Sequence, residues 1–274
     1  MNLERGQLAD LILKRLNQEK EHLSKAFQES SNGIGHLYLD DLLPADIAHQ
    51  IYDHFPETEK TVQKKSLREY KHVAVQMDRY HPLLEEVIYA FQDKRIVSFF
   101  KEICGIGSLI PDPNLYAGGL SIMEQHNFLN PHLDNSHDKD RNLWRVLNLL
   151  YYVSPGWTLE NGGNLELWPD GLKSEQLTIV SKFNRLAVMA THQRSWHSVS
   201  KVVGENRRCC VSNYYFSEEP LLQDDSFHVT SFRGWPGQKV LDLILKADSK
   251  LRMGIRKIFS KGIRENPHVY KNKD

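Results

Sequence analysis

The chain has 274 residues, 40% hydrophobic and 26% charged, with 35 Lys/Arg balancing 35 Asp/Glu. These are ordinary values for a globular protein long enough to bury about 70% of its unfolded surface. The even charge excludes a global electrostatic footprint for nucleic acid, and no run of about 18 apolar residues is present to span a membrane.

The start, "MNLERGQLADLILKRLNQEK", carries charges throughout and lacks the apolar core of a secretory signal. Three cysteines (Cys104, Cys209, Cys210) are an odd, small set that suits a reducing, cytoplasmic compartment. Residues 3–28 read as one helix, with Leu8, Leu11, Ile12, Leu16, Leu23 and Phe27 at helical spacing. "SSNGIG" breaks it, "HLYLDD" alternates like a short strand, and "LLPADIAHQIYDHFP" follows as a helix entered through Pro44. "HPLLEEVIYAFQDKRIVSFFKEICGIG" predicts two more helices whose apolar stripes face a sheet.

From about residue 115 the texture changes. Short apolar runs alternate with turn signals such as "ENGGN" and "PDG", which predicts about eight strands and a β-sandwich or jelly roll. Helices first and strands after make the class α+β, with N-terminal helices packed on one sheet. The division is 1–114 as a helical support region with a short strand, 115–219 as the jelly-roll core, and 220–274 as a basic extension. That extension opens irregularly, continues as an amphipathic C-terminal helix ("QKVLDLILKADSKLRMGIRKIF") and ends in a loose tail. From Lys239 onward ten Lys/Arg face four Asp/Glu, which favours an anionic partner or a solvated helix face.

"NPHLDNSHDKD", residues 130–140, concentrates histidine and aspartate. In a strand, positions i and i+2 share a face, so His132 and Asp134 form half of a metal site. His137, Asp138 and Asp140 lie beyond the turn at "NS" and read as exposed loop groups. The third ligand must come from another strand: His197, which begins a β-like run, is favoured over His192 in the turn-like "THQRS". Two histidines and one carboxylate leave open positions on Fe(II), the arrangement suited to oxygenase chemistry. Farther along, Arg208, Cys210, Ser212 and Tyr214 share a strand face. A guanidinium on such a face calls for an anion, and a carboxylate fits it in bidentate fashion. Cys209 and Cys210 read as small buried strand residues.

Taken together, "FLNPHLD", "LLYYVSPGW", "NGGNLELW", "SWHSV" and "RRCCVSNYYF" resemble, in order, the prolyl 4-hydroxylase-like branch of the 2-oxoglutarate- and Fe(II)-dependent oxygenase superfamily. The resemblance spans roughly residues 35–217 and implies a double-stranded β-helix (jelly roll). It implies that His132, Asp134 and His197 bind iron and that Arg208 pairs with the distal carboxylate of 2-oxoglutarate. Tyr152 and Ser212 would add hydroxyls there, Leu150 and Val199 would wall the pocket, and Gly162 and Gly163 would open a hairpin. The tyrosine that relatives often carry ahead of H-x-D is replaced by "SIMEQHNFLN". O2 is the co-reactant, and ascorbate is an added expectation. The implied reaction hydroxylates a C–H bond and releases succinate and CO2. The substrate is a prolyl or other residue in a protein, a free amino acid, or a sugar or natural product, and an anionic one would suit the basic tail. A zinc hydrolase on the same triad and a non-catalytic jelly-roll binding protein are the alternatives. The N-terminal helix either covers a sheet face or makes a homodimer contact.

Overall fold

The computed structural model describes residues 3–259 and 270. Six helices are α1 (Arg5–Gln18), α2 (Lys20–Ser30), α3 (Ala45–Asp53), α4 (Pro82–Ala90), α5 (Lys94–Cys104) and α6 (Lys239–Ile258). The first strands are β1 (His36–Leu39), β2 (Val62–Lys65), β3 (Glu69–Ala74) and β4 (Ile110–Pro111). Eight more follow between 119 and 217, the number expected: β5 (Gly119–Met123), β6 (Phe128–Leu133), β7 (Trp144–Tyr152), β8 (Leu165–Leu167), β9 (Leu177–Ile179), β10 (Arg185–Ala190), β11 (His197–Val199) and β12 (Arg208–Ser217). A two-residue β13 (Ser231–Phe232) lies in the connection to α6. The expected loose tail lies outside the described residues, Tyr270 excepted.

All the strands join one curled antiparallel sheet, in the order β1-β10-β7-β12-β5-β3-β6-β11-β8-β9. Period-two alternation gives it two faces. On β7, Leu147, Leu149 and Tyr151 pack against the helices, while Leu150 and Tyr152 face the interior with Cys210, Leu165 and Leu167. The jelly roll with helices on one face is therefore as the sequence indicates.

Three features differ from the sequence reading. The single helix over 3–28 is two, divided at Glu19, whose backbone leaves the helical region (φ −112°, ψ 12°). No Gly or Pro marks the break. It comes from packing: α1 lies on α4, and α2 lies on β1 and α5. The first 114 residues supply four strands rather than one. Of these, β3 runs antiparallel beside both β5 and β6, opposing Ile122 with His72 and Leu129 with Glu69. It reads poorly because its interior face carries Glu69 and Lys71 instead of apolar residues. The irregular 220–238 connection contains β13, paired with β6.

Helix α5 shows how the support is built. Asp93 caps its start by accepting from the Arg95 amide at 2.8 Å, and Gly105, in the left-handed region (φ 66°), ends it. Between them Ile96, Phe99, Phe100 and Ile103 are buried against the sheet. Phe100→Ala is expected to lower the unfolding free energy by about 3–5 kcal/mol. Urea denaturation would show this as a lower midpoint at unchanged slope.

Candidate metal centre

His132 lies near the end of β6, Asp134 follows just past it, and His197 opens β11. The two strands are antiparallel, with His197 directly opposite His132. The next pair is Val199 with Leu129, two residues on β11 against three on β6. This is a β-bulge, and Pro131, which has no N–H for the ladder, sits within it. The extra residue lets Leu129 and His132, three apart in sequence, face the same interior.

One nitrogen or oxygen from each of His132, Asp134 and His197 lies within 4.8 Å of the others. His132 Nε2 is 3.7 Å from Asp134 Oδ1, and His197 Nε2 is 3.8 Å from Asp134 Oδ2. Each Nδ1 faces a carbonyl: His132 donates to Asn130 O at 3.0 Å and His197 to Ser195 O at 2.9 Å. A carbonyl only accepts, so each Nδ1 carries a proton and each Nε2 is the nitrogen left facing the carboxylate. Burial, then the neighbouring His197, pushes the His132 pKa far down. Burial opposes charge on Asp134, yet His197, Arg145 and His132 hold its carboxyl below the usual range. Asp134 Oδ2 is buried without a hydrogen-bond partner. Two imidazole Nε2 atoms beside an ionised carboxylate with an unpartnered oxygen fit a divalent first-row metal.

Several neighbours were not visible in the sequence. Arg145 is buried, with Nη1 3.7 Å from Asp134 Oδ1 and its guanidinium 4.5 Å over the Tyr214 ring. Phe232 of β13 stacks on His132, with centroids 5.1 Å apart. Lys71 of β3, paired with Glu69 at 3.1 Å, lowers the pKa of both His132 and Asp134. Arg145 is one polar position in an apolar strand, and the other three come from segments with no strand signal.

His192, the alternative third ligand, instead borders a small cleft beside Asp134, with Asn135, Arg145, Thr191, Asp225 and His228. The exposed-loop reading holds for Asp140 only. His137 is half-buried against Trp144 and Phe227. Asp138 accepts from the amides of Asn142 (2.7 Å) and Leu143 (2.9 Å), closing the 138–143 turn.

On β12, Arg208 is 2% exposed. Its Nε donates to Ser181 Oγ at 3.0 Å, and its guanidinium lies 4.8 Å over the Tyr152 ring. No carboxylate pairs with it among the described residues. The buried Tyr152 hydroxyl sits beside Arg208 and Ser181 without a well-formed hydrogen bond, and burial pushes its pKa up to about 12. Ser212 faces the same interior, opposite Leu150 of β7 and Gly119 of β5. The hydroxyl that accepts from Arg208, however, belongs to Ser181. Gly163 (φ 61°) passes so close that a Cβ there would meet Arg208 Cδ at 3.0 Å. Val199 packs with Met123 and Leu129, and Met123 Sδ lies 3.6 Å from Arg208 Nη1. This apolar cluster therefore adjoins Arg208 at Met123 and the triad at Phe232.

Residues 118–216 match the model of the 2OG-Fe(II) oxygenase superfamily. A search of curated protein sequences found no match. Among solved structures, a Pseudomonas putida prolyl-4-hydroxylase is 14% identical, with a TM-score of 0.53 over 71% of this chain and 98% of that one. A prolyl hydroxylase from Trichoplax adhaerens, solved with a hypoxia inducible factor peptide, is 18% identical, with a TM-score of 0.51 over 73% and 92%. A prolyl 4-hydroxylase from Phytophthora capsici is 14% identical, with a TM-score of 0.54 over 91% and 78%. At these identities the structures establish a shared fold.

The lowered His132 pKa sets a pH dependence. Unfolded, the ring takes a proton near pH 6.5; folded, it stays neutral well below that. The unfolded chain thus binds more protons in this window, so the metal-free fold should lose up to about 1.4 kcal/mol per pH unit as pH falls below 6.5. Denaturation at a series of pH values checks this, and His132→Gln should flatten the slope.

Proposed function

We propose that this chain, whose residues 118–216 belong to the 2OG-Fe(II) oxygenase superfamily, is a dioxygenase that hydroxylates a C–H bond of its substrate. His132, Asp134 and His197 would hold Fe(II), and the cosubstrate would be 2-oxoglutarate. Together with O2 these supply oxidative hydroxylation, with release of succinate and CO2. The observation that carries the reading is Arg208, a guanidinium buried on the interior face with no carboxylate among the described residues to neutralise it. A zinc hydrolase needs the triad but gives this buried cation no anion.

Each protein group then has a defined task. The Nδ1 hydrogen bonds of His132 and His197 fix ring orientation. Arg145 holds Asp134 ionised and limits its rotation. Arg208 would bind the distal carboxylate of 2-oxoglutarate, with Ser181 fixing the guanidinium plane and the Tyr152 hydroxyl free to donate. Leu150 and Val199 would exclude water along the cosubstrate, and Ser212 would offer a further hydroxyl. The substrate would enter by the cleft beside Asp134, whose polar lining suits a peptide or a small polar molecule. A prolyl or other side chain, a free amino acid, and a sugar or natural product all fit this requirement. The three free cysteines suit a reducing cytoplasm, in which ascorbate would help keep iron ferrous.

Anaerobic titration with Fe(II) and 2-oxoglutarate tests the assignment. A visible metal-to-ligand charge-transfer band is expected in the wild type and its loss in His132→Ala. Arg208→Ala should weaken 2-oxoglutarate binding about 30-fold or more, as for truncating one partner of a buried charge pair. Absence of a band in folded wild type would reject the oxygenase reading. Succinate release on addition of O2 separates a catalyst from a binding protein.

A further inference from the structure

The C-terminal helix α6 presents an outer face that none of the described residues covers. Its inner face is firmly seated. Leu245 is buried with Leu129, Val199 and Phe232. Asp248 receives Arg68 Nε at 2.9 Å from the β2–β3 turn, Asp242 binds Arg233, and Arg141 Nη2 donates to Arg256 O at 3.0 Å.

The opposite face is apolar and open. Val240, Leu243, Leu251 and Ile258 are 77%, 71%, 66% and 78% exposed, with exposed Ile244 between them. At 100° per residue, Val240, Ile244, Ala247, Leu251 and Ile258 fall on one line down the helix. Lys239, Lys246, Lys250 and Lys257 are exposed along one flank of that line. The two acidic residues of the helix point toward the body, in ion pairs with Arg233, Lys246, Arg68 and Arg252. The arc that meets solvent is thus an apolar stripe with a single sign of charge beside it. Leu67, also exposed, lies at the turn that Arg68 ties to α6, and Lys65 precedes it.

We infer that α6 docks in the plane of an anionic lipid bilayer, with its apolar stripe in the acyl boundary and its lysines among the headgroups. A long apolar stripe beside a lysine-rich flank, on a helix too polar to span, is the pattern of an interfacial helix. Anchoring by Leu245 and the ion pairs means the helix is ordered before it binds, so no folding penalty opposes docking. A second copy is the less fitting occupant, because antiparallel pairing of two such stripes sets lysine flank against lysine flank. The site chemistry proposed above is not needed for this inference.

The test is flotation of the full chain with vesicles, in parallel with sedimentation of the chain alone. Binding is expected to vesicles of phosphatidylcholine with about one-third phosphatidylglycerol and not to pure phosphatidylcholine, and it should weaken as salt rises. Leu251→Ser with Ile258→Ser should abolish binding while leaving the melting temperature and the 2-oxoglutarate titration unchanged. Lys250→Gln should weaken binding roughly fivefold. The inference is overturned if wild type ignores anionic vesicles, or if the double-serine variant binds as wild type does. It is equally overturned if wild type fails to float but self-associates in a way that the serine variant abolishes, which would assign the face to a second copy.

Discussion

The antiparallel pairing of β6 with β11 sets His132 opposite His197 and, through the bulge at Pro131, keeps both rings on the inner face. Each ring must also be turned so that its Nε2 faces Asp134. The carbonyls of Asn130 and Ser195, each two residues before its histidine, fulfil that requirement without any further side chain. Slip of one residue between these strands would turn a ligand out of the sheet and separate it from its orienting carbonyl. The remaining strands hold this register: β8 flanks β11, while β3 and β13 flank β6.

Charge is distributed accordingly. The carboxylate of Asp134 lies at one place on the interior, with Arg145 and the Lys71–Glu69 pair around it. The guanidinium of Arg208 lies at another, bordered by Met123 of an apolar cluster. A buried cation and a buried anion are each expensive to leave unpaired, and direct pairing would discharge both. The fold keeps the two apart: Asp134 has Arg145 at 3.7 Å and one unpartnered oxygen, and Arg208 has no carboxylate beside it among the described residues.

How much was legible follows from how each residue signals itself. Short apolar runs such as "WRVLNLLYYV" and "RCCVSNYYF" mark the strands of the jelly roll and make Arg208 stand out as a charge on a strand face, whereas Tyr152 follows only from the family resemblance. His132 and Asp134 share a strand face by simple parity. Strand β3 escaped because its inner face meets a polar centre, and "EYKHVA" therefore lacks an apolar period. Ser181 escaped because a serine between two short strands has the composition of a turn. Phe232 lies in a two-residue strand, too short for any periodicity. The break at Glu19 escaped because the neighbours of α1 and α2, not local propensity, set their directions.

The place of β3 also limits how the polypeptide can be divided. Residues 118–216 contain the triad, Arg208 and eight strands, yet β5 and β6 each hydrogen-bond along one edge to residues 69–74. A fragment that began at residue 118 would expose those two edges as unpaired ladders, the β6 edge close to His132. Unpaired edges recruit strands from other molecules. During synthesis β3 emerges before β5 and β6, and its pairing waits for them. Two edges of the 118–216 stretch are thus completed by a segment distant from it in sequence.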